Sequence, residues 1–144
     1  MGTPLRLVPL RMAVGGTLAV HGFARLFGGP GTSQNLPAEA YQYLGEEYRE
    51  WMEGGGMDNF SRQLAEIDVP NPRTMAYALA SAEFAGGVLF ALGMFTPLAG
   101  LVLAADLGAS IKRVYWGHGM VGGGGWELPA LLLAGVATVL INQK

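Results

Sequence analysis

The chain has no cysteine. That excludes disulfides, thiolate nucleophiles, cysteine-ligated zinc and iron–sulfur clusters built within the chain. Histidine is scarce too. His21 and His118 are too few for a haem or metal centre held by imidazoles alone, and no metal is expected; the one set that could hold one is His21 with Glu83 and Glu127. Charge is thin: 14% of the 144 residues are charged, against about 25% in soluble domains. The net charge is −2 and no basic stripe exists to follow phosphates, so nucleic acid is not a partner. The glycines at 122–125 lack a following Lys-Ser/Thr, which argues against a nucleotide loop and leaves a flexible hinge before Trp126.

What is present is apolar. The hydrophobic fraction is 51% and the mean hydropathy is +0.31. Eight of the 11 acidic residues fall between Glu39 and Asp68, which leaves long stretches nearly free of charge. Those stretches predict four membrane spans, over residues 5–27, 74–95, 97–116 and 126–141, within a single domain of residues 1–144. The second meets the ~20 residues that a helix needs to cross hydrocarbon. The fourth reaches only about 24 Å at ~1.5 Å per residue, so it needs flanking residues or local thinning. Arg6 and Arg11 ahead of an apolar run resemble the start of a signal peptide. The run continues into His21 and Arg25, however, with no small-x-small site to close it.

Small residues crowd the spans: Gly15-Gly16, Gly86-Gly87, Gly93, Gly100 and Gly108. In lipid they let helix backbones approach closely, and packing within one chain is preferred here to a dimer motif. Gly93 and Pro97 predict a stop and a start, which makes spans two and three a helical hairpin. The connection 28–73 is long. Residues 37–53 predict one amphipathic helix with Tyr41, Leu44, Tyr48 and Trp51/Met52 on one face, a candidate surface for docking a partner subunit or lying at the interface. A second short helix is predicted from Asp58, as N-cap, to Ile67.

With four spans both termini lie on one side of the cell membrane and the long loop on the other. Counting ~1.5 Å per residue sets His21 and Asp106 about 9 Å, and Glu83 about 13 Å, inside from the long-loop side. Glu127 starts the fourth span on that same side. Charges at depth cost about 2.5–3.5 kcal/mol each and usually face the bundle interior. The expectation is a polar cavity lined by His21, Arg25, Glu83, Asp106 and Glu127, with Lys112 and Arg113 at its rim. His21/Arg25 at i,i+4 and Asp106/Arg113 at i,i+7 should each share a face. The alternative is a set of buried pairs, such as Arg25 with Glu83 or Glu127, that only fixes register. His118, in a glycine-rich loop, is expected in solvent. Six basic residues on the long-loop side against three on the other favour a cytoplasmic loop. An even-numbered bundle commonly keeps both termini there, so the two signals oppose each other.

At these residues the chain resembles the DoxX family of small four-helix membrane proteins. The resemblance is carried by His21-Gly22-Phe23-Ala24-Arg25, by Asp68-Val69-Pro70-Asn71-Pro72, by Glu83-Phe84-Ala85-Gly86-Gly87 continuing through Leu92-Gly93-Met94-Phe95-Thr96-Pro97-Leu98-Ala99, and by Trp126-Glu127-Leu128. It departs from the family in its long acidic loop and in Asp106. The resemblance implies an all-α membrane protein, a four-transmembrane-helix bundle, more forcefully than a reaction. Family members are described as subunits of terminal quinol oxidase, thiosulfate:quinone oxidoreductase and related assemblies. It therefore implies a membrane subunit of a redox complex whose partner carries the redox centre. No cofactor is expected on this chain alone, and quinone is the small redox molecule its cavity would handle. The second reading is a structural accessory subunit of a respiratory or photosynthetic complex. Transport ranks lower, since four short helices without inverted repeats offer little machinery for alternating access.

Overall fold

Apolar runs at helical spacing, punctuated by glycine and proline, should fold as helices. The computed structural model describes residues 2–122 and 125–143, and its regular elements are all helical. Helix α1 (Val8–Phe27) is entered through a 3-10 turn, Leu5–Leu7, which leaves Pro9 in the first turn where its missing N–H is harmless. Helices α2 (Ala38–Leu44), α3 (Glu46–Glu53) and α4 (Met57–Glu66) follow in the long connection. Helix α5 (Pro72–Leu92) contains a π turn at Ala82–Gly86. Helix α6 (Thr96–Ser110) runs on into a π turn, Ile111–Tyr115, and a 3-10 turn, Trp116–His118. Helix α7 (Glu127–Ile141) closes the chain. Leu5–Phe27 and Pro72–Leu92 are long and apolar enough to cross a membrane, and Glu127–Ile141 is a shorter apolar helix.

Two expectations about the connection need correcting. The single amphipathic helix over 37–53 is two helices. Gly45, at φ 97° and ψ 151°, breaks it in a conformation that side chains other than glycine's avoid. Helix α4 begins at Met57 with Gly56 in the capping position. Asp58 lies inside the first turn and accepts a hydrogen bond from Arg73 Nη1 at 2.8 Å.

The chain divides into two compact units, Met1–Ala19 with Ala82–Lys144, and Val20–Ser81. In the first, segments of α1, α5, α6 and α7 surround a core of Val14, Leu18, Phe90, Ala99, Leu103, Leu107, Val136 and Val139. The tightest approach is between backbones. A Cβ placed on Gly15 would lie 2.6 Å from both the Gly87 carbonyl oxygen and the Ala91 nitrogen. One on Gly87 would meet the Gly15 oxygen and the Ala19 nitrogen, again at 2.6 Å. Gly15-x3-Ala19 and Gly87-x3-Ala91 are thus facing pairs of small residues, the pattern that lets helices associate by contact alone. Gly100 leaves room for Leu140, and Gly135 for Val14. The α5–α6 turn is a Schellman arrangement: Gly93, at φ 79°, and Met94 donate to the carbonyls of Phe90 and Leu89. Arg11 Nε donates to the Ala91 carbonyl at 3.3 Å beside them. Large apolar side chains also point outward, among them Leu92, Phe95, Leu98, Leu101, Leu131 and Ile141, each more than 60% exposed. A water-soluble domain would not show so dense an apolar exterior.

In the second unit, two apolar clusters form. Ala24 packs with Tyr41, Tyr48 and Met52, and Phe60 and Leu64 pack with Ala76 and Ala80. The end of α1 meets the glycine turn after α3 backbone to backbone. Gly56 N–H donates to the Ala24 carbonyl at 3.2 Å and Gly29 N–H to the Met52 carbonyl at 2.6 Å. A Cβ on Gly56 would lie 2.6 Å from the Gly28 oxygen.

The crossing at Gly87 admits no side chain, whereas Gly16 has nothing within 4 Å of its would-be Cβ. Gly87→Val should therefore destabilise the first unit by about 1–3 kcal/mol, the usual range for overpacking. Gly16→Val should leave stability within ~0.5 kcal/mol. Thermal unfolding of the two variants in one detergent compares them directly.

Candidate functional site

Helical spacing brings His21 and Arg25 onto one face of the last two turns of α1, as i,i+4 residues require. The His21 ring lies 4.9 Å from the Trp51 ring, centroid to centroid. The Arg25 guanidinium carbon sits 4.5 Å above the centre of the Phe60 ring. Both basic residues line a half-open cavity of about 370 Å³ in the second unit, together with Glu50, Trp51, Phe60 and Gln63. Gly54, Gly55 and Gly56 form its backbone wall.

Glu83 and Asp106 belong to the first unit and are deeply buried, 5% and 4% exposed. Glu83 sits in the π turn of α5. One turn on, Gly86 abuts Leu103, whose Cδ2 would lie 3.2 Å from a Cβ there. Both carboxyl side chains are thus withdrawn from the surface of a unit whose core is otherwise apolar.

The remaining residues singled out in the sequence lie elsewhere. Glu127 is the first residue of α7, half-buried, with the Gly122 N–H 3.5 Å from Oε1. Lys112 and Arg113 are exposed on the second π turn. Asp106 and Arg113 do not share a face, because the Trp116 N–H donates to the carbonyl of Ile111, five residues back. That wider turn breaks the 3.6-residue phase on which the i,i+7 pairing depends. His118 is exposed, with Nδ1 2.9 Å from the Val114 carbonyl oxygen. Among the described residues no group of three or more His, Asp or Glu side chains could hold a metal ion. Of the hinge expected at 122–125, Gly123 and Gly124 lie outside the described residues, as does Lys144.

The aromatic face expected for docking is divided. Tyr41 and Tyr48 are 2% and 3% exposed. Their hydroxyls donate to the carbonyls of Ser33, at 2.7 Å, and Val20, at 2.6 Å. They hold the loop together and are not available to a partner. Leu44 and Trp51 remain 39% and 45% exposed. Tyr43, which the helical-face reading omitted, is 90% exposed, since it lies two residues from buried Tyr41 in the same helix and so faces the other way. Gln63 and Phe60 of the cavity were also missed, since only the fold of α4 against α1 reveals them. Nearby, Glu53 ties the loop to itself. Its carboxylate accepts from the Ser33 hydroxyl and from the backbone N–H groups of Gly31, at 2.7 Å, and Ser33, at 3.2 Å. The Ser33 hydroxyl above all holds its carboxyl below the usual range. This contribution is present above the unfolded carboxylate range and is lost as pH falls through the depressed value.

A family model described as DoxX matches residues 6–119. Comparison with curated proteins and with solved structures returns no match.

Burial raises the Tyr48 hydroxyl from 10.0 to about 12. A raised acid is protonated longer in the folded state, so its contribution is whole below pH ~10 and lost as pH rises through about 12. Ultraviolet titration should show Tyr48 among the last of the tyrosines to ionise, together with loss of loop structure. Tyr48→Phe should remove that late step and destabilise by about 1 kcal/mol, the worth of one hydrogen bond.

Proposed function

The chain belongs to the DoxX family, and from that premise we propose that it is an integral membrane subunit of a quinone-linked redox complex. In this reading α1, α5, α6 and α7 cross the cell membrane, with both termini on one side and α2–α4 on the other. Helix α7, with 15 residues, would reach only about 22 Å of the ~30 Å hydrocarbon layer, so thinning or flanking residues make up the difference. Without cysteine, and with two histidines, the chain leaves electron transfer to a partner subunit. Its own contribution is protonatable side chains in a water-poor core, where quinone chemistry must gain or lose protons.

The observation that carries this reading is the burial of two carboxyl residues, Glu83 and Asp106, in the unit that holds the apolar core. Each costs several kcal/mol to place in hydrocarbon, and such groups commonly serve proton or ion pathways. A second reading, a structural accessory subunit, is favoured by the exposed Tyr43, Leu44 and Trp51 of α2–α3, which offer an apolar contact to a neighbouring subunit.

The two readings separate in a mild-detergent pull-down of the tagged chain from native membranes, followed by turnover of the eluted complex. For the redox subunit, Glu83→Gln and His21→Ala should lower turnover by roughly 10²-fold, the scale of a positioned proton donor or acceptor, while the partner still co-elutes. For the accessory subunit, Trp51→Ala and Leu44→Ala should lose the partner, and Glu83→Gln should leave the turnover of assembled complex unchanged. A chain that elutes alone and colourless would overturn both.

A further inference from the structure

The cavity at the end of α1 carries chemistry beyond the proton handling asked of His21. Arg25 and His21 bring positive or protonatable nitrogen to it, Gln63 an amide, and Glu50 a carboxylate. Both signs of charge therefore face one space. The Arg25 guanidinium carbon lies 4.5 Å from the centre of the Phe60 ring, a cation–π contact that puts a planar fork of N–H donors in the cavity lining. Such donors match a phosphate. The Glu50 carboxylate accepts hydrogen bonds only, and so suits a group rich in N–H, such as a primary ammonium. Trp51, 45% exposed, offers its ring at the mouth, where tryptophan favours the boundary between headgroups and hydrocarbon.

Depth and size select the ligand. Arg25 and His21 stand two and six residues before the end of the helix Leu5–Phe27, which is about 3 and 9 Å at ~1.5 Å per residue. If that helix spans the bilayer, the cavity straddles the boundary between hydrocarbon and headgroups, with His21 on the inner side and Glu50 and Gln63 on the outer. Its volume of about 370 Å³ equals roughly a dozen water molecules at ~30 Å³ each, ample for a phosphate ester joined to a short amine. Gly54, Gly55 and Gly56 contribute only backbone to its lining.

We propose that this cavity binds the headgroup of a zwitterionic phospholipid bearing a primary amine, with the phosphate at Arg25 and Gln63 and the ammonium at Glu50. The assignment rests on the membrane-spanning part of the reading above and not on its redox part. The lipid would pin the end of α1 to the α3–α4 turn, so that bilayer composition affects how firmly the long connection is held.

The test uses the full chain purified in mild detergent. It is titrated with phosphatidylethanolamine or phosphatidylglycerol, and retained lipid is counted by native mass spectrometry. Phosphatidylethanolamine should be retained about tenfold better. Glu50→Gln should erase that preference by weakening phosphatidylethanolamine alone. Gln63→Ala, a change at an exposed position, should weaken both lipids. Inorganic phosphate and free phosphoethanolamine serve as competitors. Equal retention of the two lipids, or a preference unmoved by Glu50→Gln, would overturn the headgroup assignment. Saturable binding of the free solutes without lipid retention would overturn it in favour of a soluble phosphate ester. Release of the chain from native membranes by alkaline carbonate would overturn it together with the membrane reading. Loss of the redox reading alone would leave lipid retention unchanged.

Discussion

The meeting of two helix backbones at Gly15 and Gly87 sets the terms for the first unit. With a would-be Cβ on either glycine only 2.6 Å from backbone atoms of the other helix, α1 and α5 touch without side chains between them. In lipid there is no hydrophobic drive between helices, so this contact must supply the attraction through van der Waals packing. The rest of the unit is arranged around it. Phe90 and Leu103 fill the space beside the crossing, while Gly135 and Gly100 let α7 settle its Leu140 and receive Val14. Arg11 secures the same region by donating to a carbonyl at the end of α5, where helical carbonyls have no partner in their own helix.

The second unit solves a different problem, that of ordering a long polar connection. Its answer is again backbone contact at glycine, now hydrogen-bonded. The last turn of α1 accepts the Gly56 N–H, and the carbonyl of Met52 accepts from Gly29. Around this clasp the tyrosines act as struts, the Tyr41 hydroxyl anchored on a carbonyl eight residues away and that of Tyr48 on one 28 residues away. The acidic character of the segment is carried on the outside, where Glu39, Glu46, Glu47 and Glu50 are exposed. Glu53 is turned inward to bind the loop 31–33. The cavity beside the clasp is walled in part by the backbone of three glycines.

The two π turns mark where polar residues disturb regular helix. Glu83 lies in one, and the chain beyond Asp106 passes through the other before Lys112 and Arg113 reach the exterior. A π turn inserts an extra residue and re-aims the side chains beyond it. Asp106, before the second turn, is buried, whereas Lys112 and Arg113, within it, are exposed. Helices of this kind are often interrupted at functional positions, which agrees with the role proposed for Glu83.

Much of the fold was legible in the sequence because its signals are local. Apolar runs, Gly93 with Pro97, and the i,i+4 spacing of His21 and Arg25 all depend on a few neighbouring residues. The small-residue pairs announced close helix contact, though not which helices would meet. The break at Gly45 was written in one residue and outweighed by the periodicity around it. What stayed hidden is what depends on distant parts of the chain meeting. Tyr41 and Tyr48 are internal struts and not a docking face, and Gln63 and Phe60 join His21 and Arg25 at a cavity. The phase between Asp106 and Arg113 is broken by a π turn that no short pattern predicts. The sequence by itself determined that the chain is helical, apolar and a DoxX-family membrane protein, because composition and spacing act over a turn or two. Only the tertiary structure decided which side chains line a cavity and which are consumed in holding it open. A side chain's availability depends on the partners that folding brings to it across many residues.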